Sequence, residues 1–256
     1  MKEYFLWDNE PTQKATVVFF PSLQKVSKGT VIICPGGAYG MCSSAEGEGI
    51  AYFLNSIGLS VFVLNYSVAP SHFPQQLLDA RQAVRFVREN AETFDIDTNR
   101  VAVMGFSAGG HLAALLCTYK GRLPGETGNE GNFLPNAQIL CYPVISSDEQ
   151  ISHRLSYSNL LGDLYDEREK YSPELLVDET TPPAFFWHTA EDRCVNVMNS
   201  YRYAESLRNV CVPCEMHIFP FGTHGLALAP HNPHVSQWMA LLREWLRVIG
   251  WFDTIE

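Results

Sequence analysis

Two hydrophobic rhythms alternate along the chain. Short runs that are apolar at nearly every position recur: TVIIC at 30–34, VFVL at 61–64, VAVMGF at 101–106 and AFFWH at 184–188. A strand with one wet face would alternate apolar and polar residues. Continuous runs rich in Val, Ile and Phe suit strands covered on both faces, as in parallel sheets. Eight stretches read as strands: 3–7, 15–20, 30–34, 60–65, 100–105, 137–142, 184–188 and 215–219. Between them lie helical stripes. Leu77, Ala80, Val84, Val87 and Ala91 make one, and Val235, Met239, Leu242, Leu246 and Ile249 another, at the spacing of a helix lying on a sheet. Residues 108–119 begin with small side chains and become Leu-rich, the pattern of a helix packed closely on the sheet centre. The alternation predicts an α/β fold with a right-handed, mostly parallel central sheet of about eight strands flanked by helices.

Two stretches break the rhythm. Residues 143–183 are polar, with short Ser/Asp/Glu-rich pieces and Pro182-Pro183, and read as a lid or binding insertion. Residues 121–135 are rich in Gly, Asn and Pro and read as a surface loop. No internal repeat or linker divides the chain, so 1–256 is expected to form a single domain.

Composition narrows the function classes. With 46% hydrophobic and 18% charged residues over 256 positions, the chain can bury its own core. The net charge is −10 and no Lys/Arg cluster occurs, which disfavours nucleic acid and anionic membrane surfaces and suits a neutral small molecule. The apolar run Tyr4–Trp7 is too short for a signal-peptide core, and no stretch approaches the roughly 20 apolar residues of a spanning helix. A cytoplasmic location is the expectation, and a homo-oligomer is left open. Seven cysteines are scattered along the chain. Cys34, Cys117 and Cys141 lie in apolar runs and read as buried thiols. Cys211 and Cys214 form a lone CxxC at the start of a strand, without the second pair a zinc site would need, so no metal is expected.

The strongest local signal is Gly105-Phe106-Ser107-Ala108-Gly109, placed between a buried strand and a helix. A turn this sharp requires small residues two positions either side of the serine, lifts the hydroxyl clear, and points a helix N-terminus at developing negative charge. Ser107 is therefore the candidate nucleophile for acyl transfer. It needs a base, and partners of such an elbow follow in the order acid, then His. His111 lies in the elbow's own helix, His217 within a strand run, and His231 and His234 before the last helix. His224 lies between Gly222 and Gly225 after the last strand, where a base must stand. Asp192 is the expected acid, with Glu191 as fallback, and His188 at the strand end reads as structural or pocket-lining. The oxyanion donors are expected from the N–H of Ala108 and from the loop Pro35-Gly36-Gly37-Ala38-Tyr39-Gly40, with Gly37 first and Ala38 close behind.

Several of these motifs carry a resemblance. Pro35–Tyr39 is similar to the HGGG-type oxyanion loop with proline in place of histidine. Asn65–Pro70, Phe73-Pro74 and Leu78–Ala80 resemble the Y-x-L-A-P…F-P…D-A stretch of hormone-sensitive-lipase-like and acetyl-xylan-esterase-like hydrolases. GFSAGGHL at 105–112, Pro182–Phe185 leading to Asp192, and Gly222–Gly225 look like the bacterial acetyl-xylan/feruloyl esterase branch of the α/β-hydrolase superfamily. The resemblance implies the α/β-hydrolase fold over roughly residues 30–245, a serine esterase acting on short acyl esters such as O-acetyl sugars, and no cofactor. Pro35 favours the sugar-esterase branch. Family neighbours act on formamides and peptides, so an amidase and a general short-chain esterase stay open, as does a non-catalytic binding protein. Tyr39 and Tyr142 are expected to stack on sugar faces, while Trp187, inside a strand, reads as core.

Overall fold

The computed structural model describes residues 1–7, 15–24, 26–126 and 133–252. Residues 127–132 of the expected loop at 121–135, and the last four of the expected domain, lie outside the described residues. Among these residues, eight strands form one sheet: β1 (Lys2–Phe5), β2 (Thr16–Phe20), β3 (Thr30–Cys34), β4 (Ser60–Asn65), β5 (Val101–Phe106), β6 (Ala137–Cys141), β7 (Ala184–Thr189) and β8 (Cys214–Phe219). Their order is β1-β2-β4-β3-β5-β6-β7-β8. The β1–β2 and β2–β4 pairs are antiparallel and every other pair is parallel. Among the described residues, seven α-helices accompany them: α1 (Glu48–Ser56), α2 (Gln75–Glu89), α3 (Ala91–Phe94), α4 (Ala108–Thr118), α5 (Arg154–Leu161), α6 (Met198–Asn209) and α7 (Trp238–Val248), the last following β8. Strand order and connectivity are those of the α/β-hydrolase fold.

The apolar runs are explained by the two faces. In β3, Ile32 and Cys34 join one core cluster while Val31 and Ile33 join the other. In β7, Phe186 faces the first cluster, with α2 and α4, and Phe185 and Trp187 face the second, with α1 and α7. Both faces are dry, so neither parity of position is free to be polar. Cutting one such side chain to alanine costs about 2–5 kcal/mol.

All eleven residues of α4 are buried. Its small N-terminal residues are required by contact: a Cβ on Gly109 would stand 2.0 Å from the Cys34 carbonyl oxygen and 2.4 Å from that of Pro35. The start of α4 is thus pressed against the C-terminal end of β3, which sets the serine turn beside the loop 35–40.

The 143–183 connection is more structured than its composition suggests. It contains α5 and two 3₁₀ runs, Gly162–Tyr171 and Pro173–Leu175. Asn159 of α5 donates to the Ala38 carbonyl at 2.8 Å, and His153 at its start places Nε2 3.5 Å from Cys194 Sγ. The connection therefore touches both the loop 35–40 and the loop carrying Asp192.

Candidate active site

Ser107 occupies the turn between β5 and α4 with φ 52 and ψ −119, a conformation L-residues avoid. The turn is pinned on both sides: the Ser107 N–H donates to the Cys141 carbonyl at 3.0 Å, and its own carbonyl accepts the Val144 N–H at 3.0 Å. A Cβ on Gly105 would meet the Gly109 carbonyl oxygen at 2.1 Å, which is why both flanking glycines are needed.

The structure brings three of the expected residues into one line. Ser107 Oγ lies 2.9 Å from His224 Nε2, and His224 Nδ1 lies 2.6 Å from Asp192 Oδ2. With Nδ1–H donating to the carboxylate, Nε2 is left to accept the serine hydroxyl. Asp192 Oδ1 accepts the N–H groups of Cys194 and Val195, each at 2.9 Å. Burial opposes its charge, but hydrogen bonds from His188, His224 and the Val195 N–H outweigh that and hold the carboxyl well below the usual range. Glu191, the fallback, points elsewhere: its Oε2 accepts the Gly222 N–H at 3.1 Å and braces the loop that carries His224.

His188 is wholly buried and meets the same carboxylate. Its Nε2 is 3.2 Å from Asp192 Oδ2 and 3.1 Å from the Val195 carbonyl, so Nε2–H donates there while Nδ1 accepts the Ser200 hydroxyl at 2.9 Å. His217 lies in β8 beside Glu215 at 2.8 Å. His111 is buried between Tyr39 Oη, 2.7 Å from Nδ1, and the Tyr171 carbonyl, 2.9 Å from Nε2. Burial lowers its pKa to about 4 and keeps it neutral.

The loop 35–40, expected to supply oxyanion donors, lies against the serine. A Cβ on Gly36 would stand 3.0 Å from Ser107 Cβ. Gly37, Ala38 and Tyr39 have φ of 125, 53 and 58, so the backbone turns over through three successive positive-φ residues. Among the described residues, no protein group accepts the N–H of Gly37 or Ala38. Ala108 opens α4, where an N–H has no intrahelical acceptor.

The tyrosines do not present the stacking faces expected of them. Tyr39 is 0% exposed and Tyr142 2%. The Tyr39 hydroxyl is spent on His111, and Tyr142 donates to Glu46 at 2.7 Å while its ring packs edge-on against Trp187 and His224. Both follow strand ends where the core closes over their rings, so no face is left for a sugar. Trp187, stacked on Trp238 at 5.3 Å, is core as its strand position indicated. Sequence reasoning missed Glu46, which is 5% exposed and accepts the Gly36 N–H at 2.8 Å. An acid among the glycines and acids of 44–49 carries no local sign that it is buried.

Comparison with known proteins agrees with this architecture. An endo-1,4-beta-xylanase B from Butyrivibrio fibrisolvens is 37% identical over 251 residues, 91% of this chain and 39% of that protein. An acetylxylan esterase from Xylanibacter ruminicola is 34% identical over 260 residues, 97% of this chain and 51% of that protein. The chain thus spans about half the length of one of these relatives and less of the other. The crystal structure of an acetyl ester-xyloside bifunctional hydrolase from Caldicellulosiruptor lactoaceticus superposes with a TM-score of 0.89 at 36% identity, covering 98% of this chain and 97% of that one. The sequence model of the BD-FAE family matches residues 17–207, and the chain belongs to that family.

Proposed function

We propose that this chain is a serine carboxylic-ester hydrolase that removes O-acetyl groups from sugars, xylo-oligosaccharides among them, through an acyl-enzyme. The observation that carries the reading is the continuous hydrogen-bonded line Ser107–His224–Asp192. Ser107 Oγ attacks the ester carbonyl as His224 Nε2 takes its proton. The carbonyl electron pair moves onto oxygen, where the N–H groups of Ala108 and of Gly37 or Ala38 receive it. Collapse expels the sugar alkoxide, which takes the proton from His224. Water, deprotonated by the same imidazole, then releases acetate. Asp192 fixes the Nδ1–H tautomer and stabilises the imidazolium.

The named relatives support the acetyl-sugar substrate: one is an acetylxylan esterase, and a solved neighbour is an acetyl ester-xyloside hydrolase. The 143–183 connection, which touches the oxyanion and acid loops, acts as the wall or lid of the substrate site. Among the described residues no helix is long and apolar enough to cross a membrane. Seven free cysteines, three of them exposed, suit a reducing compartment, and the cytoplasm is the proposed location.

The reading is tested by acetate release from acetylated xylo-oligosaccharides, with the matched N-acetyl amides alongside. Release from the esters, lost by at least about 10³-fold in Ser107→Ala, is the expected result. Faster cleavage of the amides would make the protein an amidase, and cleavage of p-nitrophenyl acetate without release from the sugars would remove the sugar assignment.

A further inference from the structure

Glu46 stands outside the Ser–His–Asp line, yet its contacts join both halves of the machinery. It ends the 3₁₀ turn Ser44–Glu46 that follows the oxyanion loop. Its Oε2 accepts the Gly36 N–H at 2.8 Å, and its Oε1 accepts the Tyr142 hydroxyl at 2.7 Å. Tyr142 Oη in turn accepts the N–H of Ala227 at 3.1 Å, three residues beyond His224. The Tyr142 ring meets the His224 imidazole edge-on, with centroids 5.0 Å apart. One buried carboxyl therefore links the oxyanion loop, the end of β6 and the His224 loop.

The junction has no slack. A Cβ on Gly36 would stand 2.5 Å from Glu46 Oε2, 2.9 Å from the Phe106 carbonyl and 3.0 Å from Ser107 Cβ. Tyr142 is held at a φ of 38, with its N–H on the Trp187 carbonyl at 2.7 Å. A carboxyl is a costly way to fill such a space, since an apolar side chain of similar volume would pack there without the desolvation penalty. What the carboxyl supplies is two acceptors facing two different loops.

We propose that Glu46 is a positioning residue for the hydrolysis, holding the oxyanion donors and the His224 loop at a fixed separation across Ser107. The inference rests on the proposed roles of Ser107 and His224. Oxyanion donors act only where they meet the oxygen at about 2.7–3.1 Å, and a misplacement of about 1 Å can cost about a hundredfold in rate. The effect of Glu46 therefore falls on kcat, with KM little changed.

The test measures kcat and KM on p-nitrophenyl acetate for Glu46→Gln, Tyr142→Phe, the double variant and Ser107→Ala, with circular dichroism and thermal melts on each. Glutamine keeps the volume but has one acceptor where two are needed. Phenylalanine cuts only the arm to the His224 loop and leaves the Gly36 bond. The expected loss in kcat for Glu46→Gln is about tenfold to a hundredfold with KM within about threefold. Tyr142→Phe should lose less, and the double variant should fall short of the product of the two losses, because both cut one path. A folded Glu46→Gln with kcat within about twofold of wild type, whatever its melting temperature, overturns the proposal and leaves Glu46 a packing role. If Glu46→Gln does not fold, Tyr142→Phe decides by the same criterion. An active Ser107→Ala would sink the nucleophile assignment; an inactive Ser107→Ala beside an unimpaired Glu46→Gln would sink this inference alone.

Discussion

Two regions meet at Ser107 and are held in place by opposite means. The elbow between β5 and α4 is fixed by exclusion. Gly105, Gly109 and Gly110 each sit where a Cβ would lie 2.0–2.7 Å from a neighbour, most of these atoms being backbone. The 143–183 connection is fixed by attraction. The Tyr157 hydroxyl donates to the Ile145 carbonyl at 2.6 Å, Asn199 Oδ1 accepts the N–H groups of Ile145 and Ser146, and Ser172 Oγ accepts that of Ser147. The first region tolerates no added atom; the second tolerates no lost acceptor. That contrast says where each is fragile.

The sharpest way to break the comparison is to add one methyl group to the elbow. Gly109→Ala puts a Cβ against the Cys34 and Pro35 carbonyls, neither of which can swing aside. A stability loss of about 3 kcal/mol or more, or failure to fold, is expected in denaturant melts. A near-normal midpoint would show that the elbow can relax. Next comes Asn199→Ala in the anchor of the connection. Two buried N–H groups lose their acceptor, for an expected loss of about 2–4 kcal/mol. Asn199 Nδ2 also donates to the Ile151 and Asn196 carbonyls, so Asn199→Leu, which refills the space but neither accepts nor donates, should lose about as much as Asn199→Ala. A clearly smaller loss in Asn199→Leu would mean that packing, rather than the hydrogen bonds, holds this segment.

The smallest effect concerns the residue shared by the two regions. His111 belongs to the elbow helix but donates to the Tyr171 carbonyl of the connection. Burial lowers its pKa from 6.5 to about 4. The unfolded chain then binds more protons than the folded one between these values, so stability is full above about pH 6.5 and falls as the pH drops toward 4. The loss amounts to at most about 3 kcal/mol from this group. His111→Gln should be less stable at pH 7 but flatter over that window. An unchanged slope in the variant would assign the acid sensitivity to other groups.

The same contrast explains what could be read from the chain beforehand. The central strands β3 to β7 were legible because both sheet faces are dry there, which leaves nearly unbroken apolar runs, whereas the edge strands β1 and β8 are exposed or half-buried and mix polar with apolar residues. The elbow was legible because steric exclusion writes glycine at set positions, and the loop position of His224 followed from its flanking glycines. The helix α5 was hidden because Arg154–Leu161 is only eight residues long: its buried stripe Tyr157, Leu160 and Leu161 covers about one turn, and the exposed Leu155 blurs it. Glu46 was hidden for a different reason: its partners Gly36 and Tyr142 come together only in the folded chain. Tyr39 and Tyr142 were misread as sugar platforms because a tyrosine beside a site looks the same in sequence whether its ring faces out or in. Their hydroxyls, turned to His111 and Glu46, make them internal braces.

The central claim is that Ser107 is the nucleophile, activated by His224 and oriented through Asp192. It is tested most directly by reaction with a fluorophosphonate probe followed by peptide mapping, on the wild-type protein and on Ser107→Ala and His224→Ala. The account predicts one label per chain, on Ser107, absent in Ser107→Ala and strongly slowed in His224→Ala. A folded wild-type protein that takes no label at Ser107, or that labels equally fast without His224, would contradict it.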